Sequence, residues 1–181
     1  MKAGNELLMP GTARQQKVLS EALASDALEE SVLDRNIEKI LGRLAGDHVE
    51  PHPVQVSAHT NRVPVVDGHL ESVSVKLRGK ASAGDVARAL ADYVSEPQHA
   101  ALPTAPPRPV IVRFERNRPQ TRLDRMASGG MAVVVGRIRP CPLLDFRFTV
   151  LVHNTIRGAA GASILNAEWL VKKGLLRTRE E

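Results

Sequence analysis

Apolar residues recur along the chain with two different periods, and the change from one to the other divides it. In "ESVLDRNIEKILGRLA" the positions Val32, Leu33, Ile37, Ile40, Leu41 and Leu44 follow the three-and-four spacing of a helix that buries one face. Gly46, just beyond, is a stop signal. "RQQKVLSEALAS" upstream reads as an earlier helix. "PVQVSAHT" and "HLESVSVKLR" then read as strands; in the second, Val73, Val75 and Leu77 share a face because side chains alternate.

Ser82 is placed to cap "AGDVARALADYV", a helix with Val86, Leu90 and Val94 on one side. The Pro-rich "LPTAPPRP" is a loop or rigid spacer. Three apolar runs follow, "PVIVRF", "MAVVVGRI" and "LLDFRFTVLV". In the last, Leu144, Phe146, Phe148, Val150 and Val152 alternate with Asp145, Arg147 and Thr149, which predicts a sheet with one dry and one wetter face. "MAVVVGRI" lacks alternation and is expected to be central and covered on both faces. The chain closes with "NTIRGAAGASILNAEWLVKKG", where Asn154 or Thr155 can cap a long helix that ends at Lys172, Lys173 and Gly174. Strands grouped around few helices predict an α+β fold, a mixed, largely antiparallel sheet with helices on one face.

Length and charge narrow the class. With 181 residues, 43% of them hydrophobic, the chain can bury one ordinary core. The net charge of +5 is spread along the chain and aromatic residues make up only 3%, so no clustered basic surface with stacking rings argues for nucleic acid. No apolar run reaches membrane length and the first residues hold no apolar signal core, so a soluble cytoplasmic protein without a membrane partner is expected. The single cysteine, Cys141, excludes an internal disulfide.

Several residues could carry chemistry. Asp67-Gly68 is a hairpin signal of the type I′ kind; a tight hairpin would pair Val66 with His69 and separate Arg62 from His69 by roughly 13 Å along the ladder. Pro64 removes a ladder donor and could turn the segment into a loop that brings the two closer. His69 falls on the Val73 and Val75 face, where desolvation would hold an imidazole near neutral and ready to exchange a proton, or it is simply a histidine at a strand end. Cys141, between Pro140 and Pro142, reads as a loop cysteine. His48 and His52 lack a supporting carboxylate motif, so no metal is expected. "GAAGAS" lacks dinucleotide-loop spacing and is better explained by close helix packing.

"VSAHTNRVPVVDGHLESVSVKL", "PQTRLDR", "GMAVVVGRIR" and "FTVLVHNTIRGAAGASILNAEWLVKKG" together resemble the C-terminal, substrate-binding and dimerisation domain of aspartate-semialdehyde dehydrogenase, in the branch found in archaea and fungi. The resemblance runs from about Glu29 to Gly174, giving a domain over 29–181 after an unmatched, partly helical segment 1–28. It implies a fold like the C-terminal domain of glyceraldehyde-3-phosphate dehydrogenase. It also implies NADP-dependent reduction of aspartyl phosphate to the semialdehyde, on the route to lysine, methionine and threonine.

By the same resemblance Arg62 grips the substrate carboxylate, His69 is the acid/base, Asn154 approaches the nicotinamide amide, and Glu29 or Glu30 meets the substrate amino group. Val32 stands where the family has a phosphate-contacting lysine. The family's Gly-rich nucleotide turn and its Asn-Cys nucleophile segment are not in this sequence. The isolated chain is therefore expected to be inactive, a homodimer or higher oligomer whose N-terminal half is separately encoded or lost. The alternatives are a non-catalytic dimerisation or binding module, and a piece of a related acyl-thioester reductase such as malonyl-CoA reductase.

Overall fold

The computed structural model describes residues 35–53, 59–61 and 63–176, and the chain divides into two compact units, Met1–Val63 and Pro64–Glu181. The "PVQVSAHT" strand at 54–58, the first helix, Glu29, Glu30 and Arg62 lie outside the described residues.

In the first unit helix α1, described over 35–40, gives way to an antiparallel pair, β1 (Arg43–Ala45) and β2 (His48–Glu50), with Leu44 opposite Val49. The apolar spacing predicts that Leu41 and Leu44 continue the helix; instead the chain leaves it at Gly42. A Cβ there would lie 2.9 Å from Val49 Cγ1 and would collide with the Glu50 carbonyl, so only glycine lets the hairpin fold back so closely. Gly46, with φ of +65°, turns the hairpin instead of ending a helix.

In the second unit β3 (His69–Val75), β4 (Val110–Arg113), β5 (Val133–Pro140) and β6 (Phe146–Val152) form one sheet in the order β3-β6-β5-β4. The β3–β6 and β6–β5 pairs are antiparallel and β5–β4 is parallel, so the sheet is mixed, as the sequence predicts. β5 runs between β6 and β4 with Val134 and Val135 both buried, although they point to opposite faces. That is the doubly covered strand expected of a run without alternation.

β6 departs from its predicted pattern. Phe146 is buried as expected, but Leu151 is fully buried and Thr149 is 8% exposed, whereas Phe148, Val150 and Val152 are only half-buried. The reason lies in the parallel β4–β5 connection, which must cross over the sheet. It lays the segment around Arg118, Pro119 and Thr121 on the face that carries Leu151, Thr149 and Gly136. A Cβ on Gly136 would sit 2.5 Å from the Arg118 carbonyl and 2.9 Å from Pro119 Cδ. The face that reads as wetter is thus sealed by chain more than 20 residues away in sequence.

One buried carboxylate fixes this crossover. Asp124, on the short helix α4 (Thr121–Asp124), is 1% exposed; it accepts from Arg118 Nε at 2.6 Å, from Arg118 Nη2, and from the Gln120 N–H at 2.8 Å. Arg113 Nε lies 3.2 Å from the same carboxylate without hydrogen-bond alignment. Burial pushes the Asp124 carboxyl up, but the hydrogen bonds from Arg118 and Gln120 and the charges of Arg118 and Arg113 outweigh it and hold the group below its ordinary value.

Helix α2 (Ala83–Ala91) begins with the expected Ser82 cap, in a capping box with Asp85, and turns Val86, Ala87 and Leu90 inward; Val94 falls beyond its end. The short α3 (Glu96–His99) leads into the Pro-rich loop. Helix α5 (Gly161–Lys172) packs Leu165 against Leu102 and Met131, with Ala105, Ile156 and Trp169 around them. Its Glu168 carboxylate accepts from the Thr104 N–H at 3.0 Å and from the Thr104 hydroxyl at 2.5 Å, which pins the Pro-rich loop to the helix. Lys173 caps the helix as expected, with its ammonium 4.4 Å from the Trp169 ring centre, and Gly174 follows at φ of +69°. Gly161 abuts Met131 Sδ, so "GAAGAS" does serve close packing.

Two outcomes test this packing. Leu151→Ala should cost about 3 kcal/mol by urea unfolding, and Leu143→Ala, at a site 91% exposed, should cost about 0.5 kcal/mol or less. Because the folded Asp124 carboxyl titrates below its unfolded value of about 3.9, its contribution is present above that pH and is lost as pH falls through the lower folded value. Asp124→Asn should therefore flatten the decline of the urea midpoint between about pH 5 and pH 2.

Candidate functional site

The site is assembled at one end of the β3–β6 pair. His69 opens β3 directly opposite Val152 of β6, and two residues beyond Val152 the chain reaches Asn154. The Gly68 N–H donates to Asn154 Oδ1 at 2.9 Å, so the backbone immediately before His69 is tied to the asparagine side chain. A backbone N–H requires an acceptor, which fixes the orientation of this amide and leaves Nδ2 as the donor that Asn154 can offer a ligand.

Gly68 is buried with φ of +107°, and a Cβ on it would lie 3.1 Å from Leu151 Cδ1 and 3.5 Å from Thr121 Cγ2. Both the positive φ and the close approach require glycine here. The Asp67-Gly68 pair therefore does not form a type I′ hairpin: among the described residues 63–68 there is no strand, and the partner of β3 is β6. The predicted separation of Arg62 and His69 along a hairpin ladder lapses with it.

His69 has the parity of Val73 and Val75 but is exposed, whereas those two are half-buried. The expected desolvation of the imidazole is not observed, because the sheet face is covered around Val73 and Val75 and open at the strand's first residue. An exposed imidazole at a strand end can reach a ligand and exchange a proton with it.

His153 is a participant that sequence reasoning missed. It is 4% exposed, and its Nδ1 accepts from the Ile156 N–H at 3.3 Å with Thr155 Oγ1 at 3.2 Å. It caps a π-helical turn, Ile156–Ala160, that precedes α5. Neither Asn154 nor Thr155 caps the helix with its side chain as predicted: Asn154 is engaged by Gly68, and Thr155 faces His153. Gly130, at φ of +84°, makes room for this corner, since its Cβ would meet Ile156 Cδ1 at 2.8 Å and His153 Cδ2 at 3.2 Å. The only sequence signal was the polar triplet His153-Asn154-Thr155 at the end of an apolar strand. π turns are frequent at functional sites.

Cys141 sits at the far end of the same strands, in the turn joining β5 to β6, where its N–H donates to the Asp145 carbonyl at 3.1 Å. The seven residues of β3 from His69 to Val75, six steps of about 3.3 Å, put roughly 20 Å between the two ends. The Leu144 and then the Leu143 N–H groups hold the Cys141 thiol below its ordinary value, with burial opposing them and Ser74 and Arg147 assisting. Among the described residues no group of three or more His, Cys, Asp or Glu gathers to hold a metal, and no helix is long and apolar enough to cross a membrane.

An α+β domain with a mixed sheet thus carries an exposed histidine at the mouth of its β3 edge and, beside it, an asparagine bonded to the backbone. The semialdehyde dehydrogenase dimerisation domain matches residues 16–157, and the chain belongs to that family. It is 46% identical over 142 residues to the aspartate-semialdehyde dehydrogenase of Methanothermobacter thermautotrophicus, covering 77% of this chain and 41% of that protein. It is 47% identical over 153 residues to the Schizosaccharomyces pombe aspartate-semialdehyde dehydrogenase, covering 82% of this chain and 43% of that one. The crystal structure of the Candida albicans aspartate-semialdehyde dehydrogenase with NADP superimposes with a TM-score of 0.74 at 42% identity, covering 82% of this chain and 43% of the other. The chain therefore spans 41–43% of the length of these relatives.

Asn154→Ala should leave the buried Gly68 N–H without its acceptor, at a cost of about 1–3 kcal/mol. Hydrogen exchange at Gly68 and His69 should accelerate before that of central β6 amides. Unchanged protection at Gly68 would show that the bond does not hold the mouth of β3.

Proposed function

We propose that this chain supplies the substrate-binding and acid/base portion of an NADP-dependent aspartate-semialdehyde dehydrogenase, which reduces aspartyl phosphate to aspartate semialdehyde in the cytoplasm on the route to lysine, methionine and threonine. The observation that carries the reading is the Gly68–Asn154 bond, which ties Asn154, the residue that the family resemblance assigns to the cofactor, to the backbone immediately before His69, the residue it assigns to proton transfer. The relatives named above support the same activity.

The residues present fit the roles. With Oδ1 occupied by Gly68, Asn154 presents an amide donor of the kind a nicotinamide carboxamide oxygen accepts. NADPH, when bound, supplies the hydride. His69 accepts a proton from the thiol nucleophile and returns it as the semialdehyde forms, a task suited to an exposed imidazole that a ligand can reach. Arg62 holds the substrate carboxylate through a bidentate guanidinium contact, and Glu29 or Glu30 receives the substrate amino group. Cys141 is not the nucleophile in this reading, since the strand places it roughly 20 Å from His69. The family's dimerisation role fits the half-buried apolar positions Phe148, Val150 and Val152, which a second copy would cover.

Binding and turnover separate these roles. Arg62→Ala should weaken binding of aspartate semialdehyde or a phosphonate analogue by about tenfold or more in calorimetry, and His69→Ala by much less, because carboxylate capture contributes to ground-state affinity and a proton shuttle mainly lowers a barrier. The purified chain alone should not oxidise NADPH with aspartyl phosphate. Turnover by the chain alone, lost in Cys141→Ser, would overturn the assignment. Light scattering at micromolar concentration should give at least a dimer.

A further inference from the structure

The register places three polar side chains in one rung at the end of the sheet remote from His69: Ser74 of β3 is opposite Arg147 of β6, which is opposite Arg139 of β5. Like charges directly opposite one another in an antiparallel pair repel, with Cβ atoms about 5 Å apart. A third guanidinium adjoins them. Arg137 occupies the β5 bulge at φ of +57°, and Arg139 Nη1 donates to the Arg137 carbonyl at 2.7 Å, which draws the two residues together. Non-glycine residues rarely adopt that conformation, and bulges commonly re-aim side chains at functional sites.

Nothing among the described residues neutralises this cluster. Arg137, Arg139 and Arg147 make no ion pair with an acid. The nearest carboxylate along the chain, Asp145, is used in the turn, where it accepts from the Leu77 N–H at 2.6 Å. The remaining anion-forming group is the Cys141 thiol, which interacts with Arg147 and Arg139. Arg139 is held below its ordinary value by burial and by repulsion from Arg137 and Arg147.

We propose that Arg139 and Arg147, with Arg137 and the Ser74 hydroxyl, form a binding site for a tetrahedral oxyanion such as phosphate, separate from the site at His69. Planar guanidinium forks match phosphate oxygens, and a dianion between two cross-strand arginines turns their repulsion into two charge-assisted contacts. The Ser74 hydroxyl, which without an anion hydrogen-bonds the Cys141 thiol, lies in the same rung and can rotate to donate to the anion. Five residue steps of extended β3 separate Ser74 from His69, roughly 17 Å, so one small anion cannot serve both places. Free phosphate and the phosphoryl group of a small metabolite offer the same chemistry.

The test uses the full chain and inorganic phosphate at constant ionic strength maintained with NaCl. Phosphate at tenfold its Kd should raise the thermal midpoint by roughly 3–6 °C in a saturable manner. The rise should vanish in the Arg139→Gln/Arg147→Gln double variant and persist in Arg62→Ala and in Cys141→Ser. Arg147→Glu, which places a carboxylate opposite Arg139, should raise the midpoint without phosphate and abolish the response. A response retained in the double variant, lost in Arg62→Ala, or equalled by chloride alone overturns the proposal, as does the absence of any response. Loss of the response in Cys141→Ser would assign the effect to the thiol instead.

Discussion

Strand β6 constrains the rest of the second unit because it is bonded on both edges, to β3 and to β5, and carries residues buried on both faces. A strand held in this way cannot slip by one residue without sending Leu151 and Thr149 to the opposite face, so its register is tightly specified. That register sets His69 opposite Val152, and the chain leaving β6 then brings Asn154 beside Gly68. The position of the candidate site follows from the packing of Leu151. The same side chain also limits Gly68 to glycine, so the core and the mouth of the site share one close contact.

What was legible in the sequence was local. The Ser82 cap depends on Asp85 three residues later, and the end of α5 depends on Lys173 and Gly174, all within one helical turn of the feature they specify. The apolar run of β5 likewise announced its own burial. The dry face of β6 was not legible, because the cover over Thr149 and Leu151 comes from the crossover near Arg118 and Thr121, which alternation within β6 cannot report. Asp124 escaped notice for the same reason: its burial and its arginine partners appear only after the crossover folds.

Asp67-Gly68 and "GRLA" show a different limit. Each sequence signal had a real physical content, glycine's access to positive φ in the first and helical spacing in the second. In both, more than one structure satisfies the signal. Positive φ at Gly68 serves a passage against Leu151 as readily as a hairpin turn, and Leu44 falls at a helical interval from Ile37 while lying on a strand. For the site, residue roles came from the family resemblance. The structure adds how one of those residues is held: Asn154 has a bonded orientation that spacing could not have supplied, whereas its reading as a helix cap came from the local rule and lost to a partner 86 positions away.

The two ends of the sheet are chemically distinct for a reason that follows from its core. The β3–β6–β5 ladder pairs Leu70 with Leu151 and Val134, and Val73 with Phe148, while Glu71 and Ser72 in the middle of the edge strand β3 are exposed. Charged groups are costly on the two inner strands unless paired, and β5 and β6 carry theirs, Arg137, Arg139 and Arg147, near one end. His69 and Asn154 occupy one end, and Arg139, Arg147 and Cys141 the other, with roughly 20 Å of rigid strand between. A thiol placed at the arginine end can have its reactivity tuned by those cations without ever meeting a substrate held at the histidine end. The separation keeps the lowered titration of Cys141 from being an argument for catalysis, and it makes the arginine rung a feature that the proposed reduction does not explain.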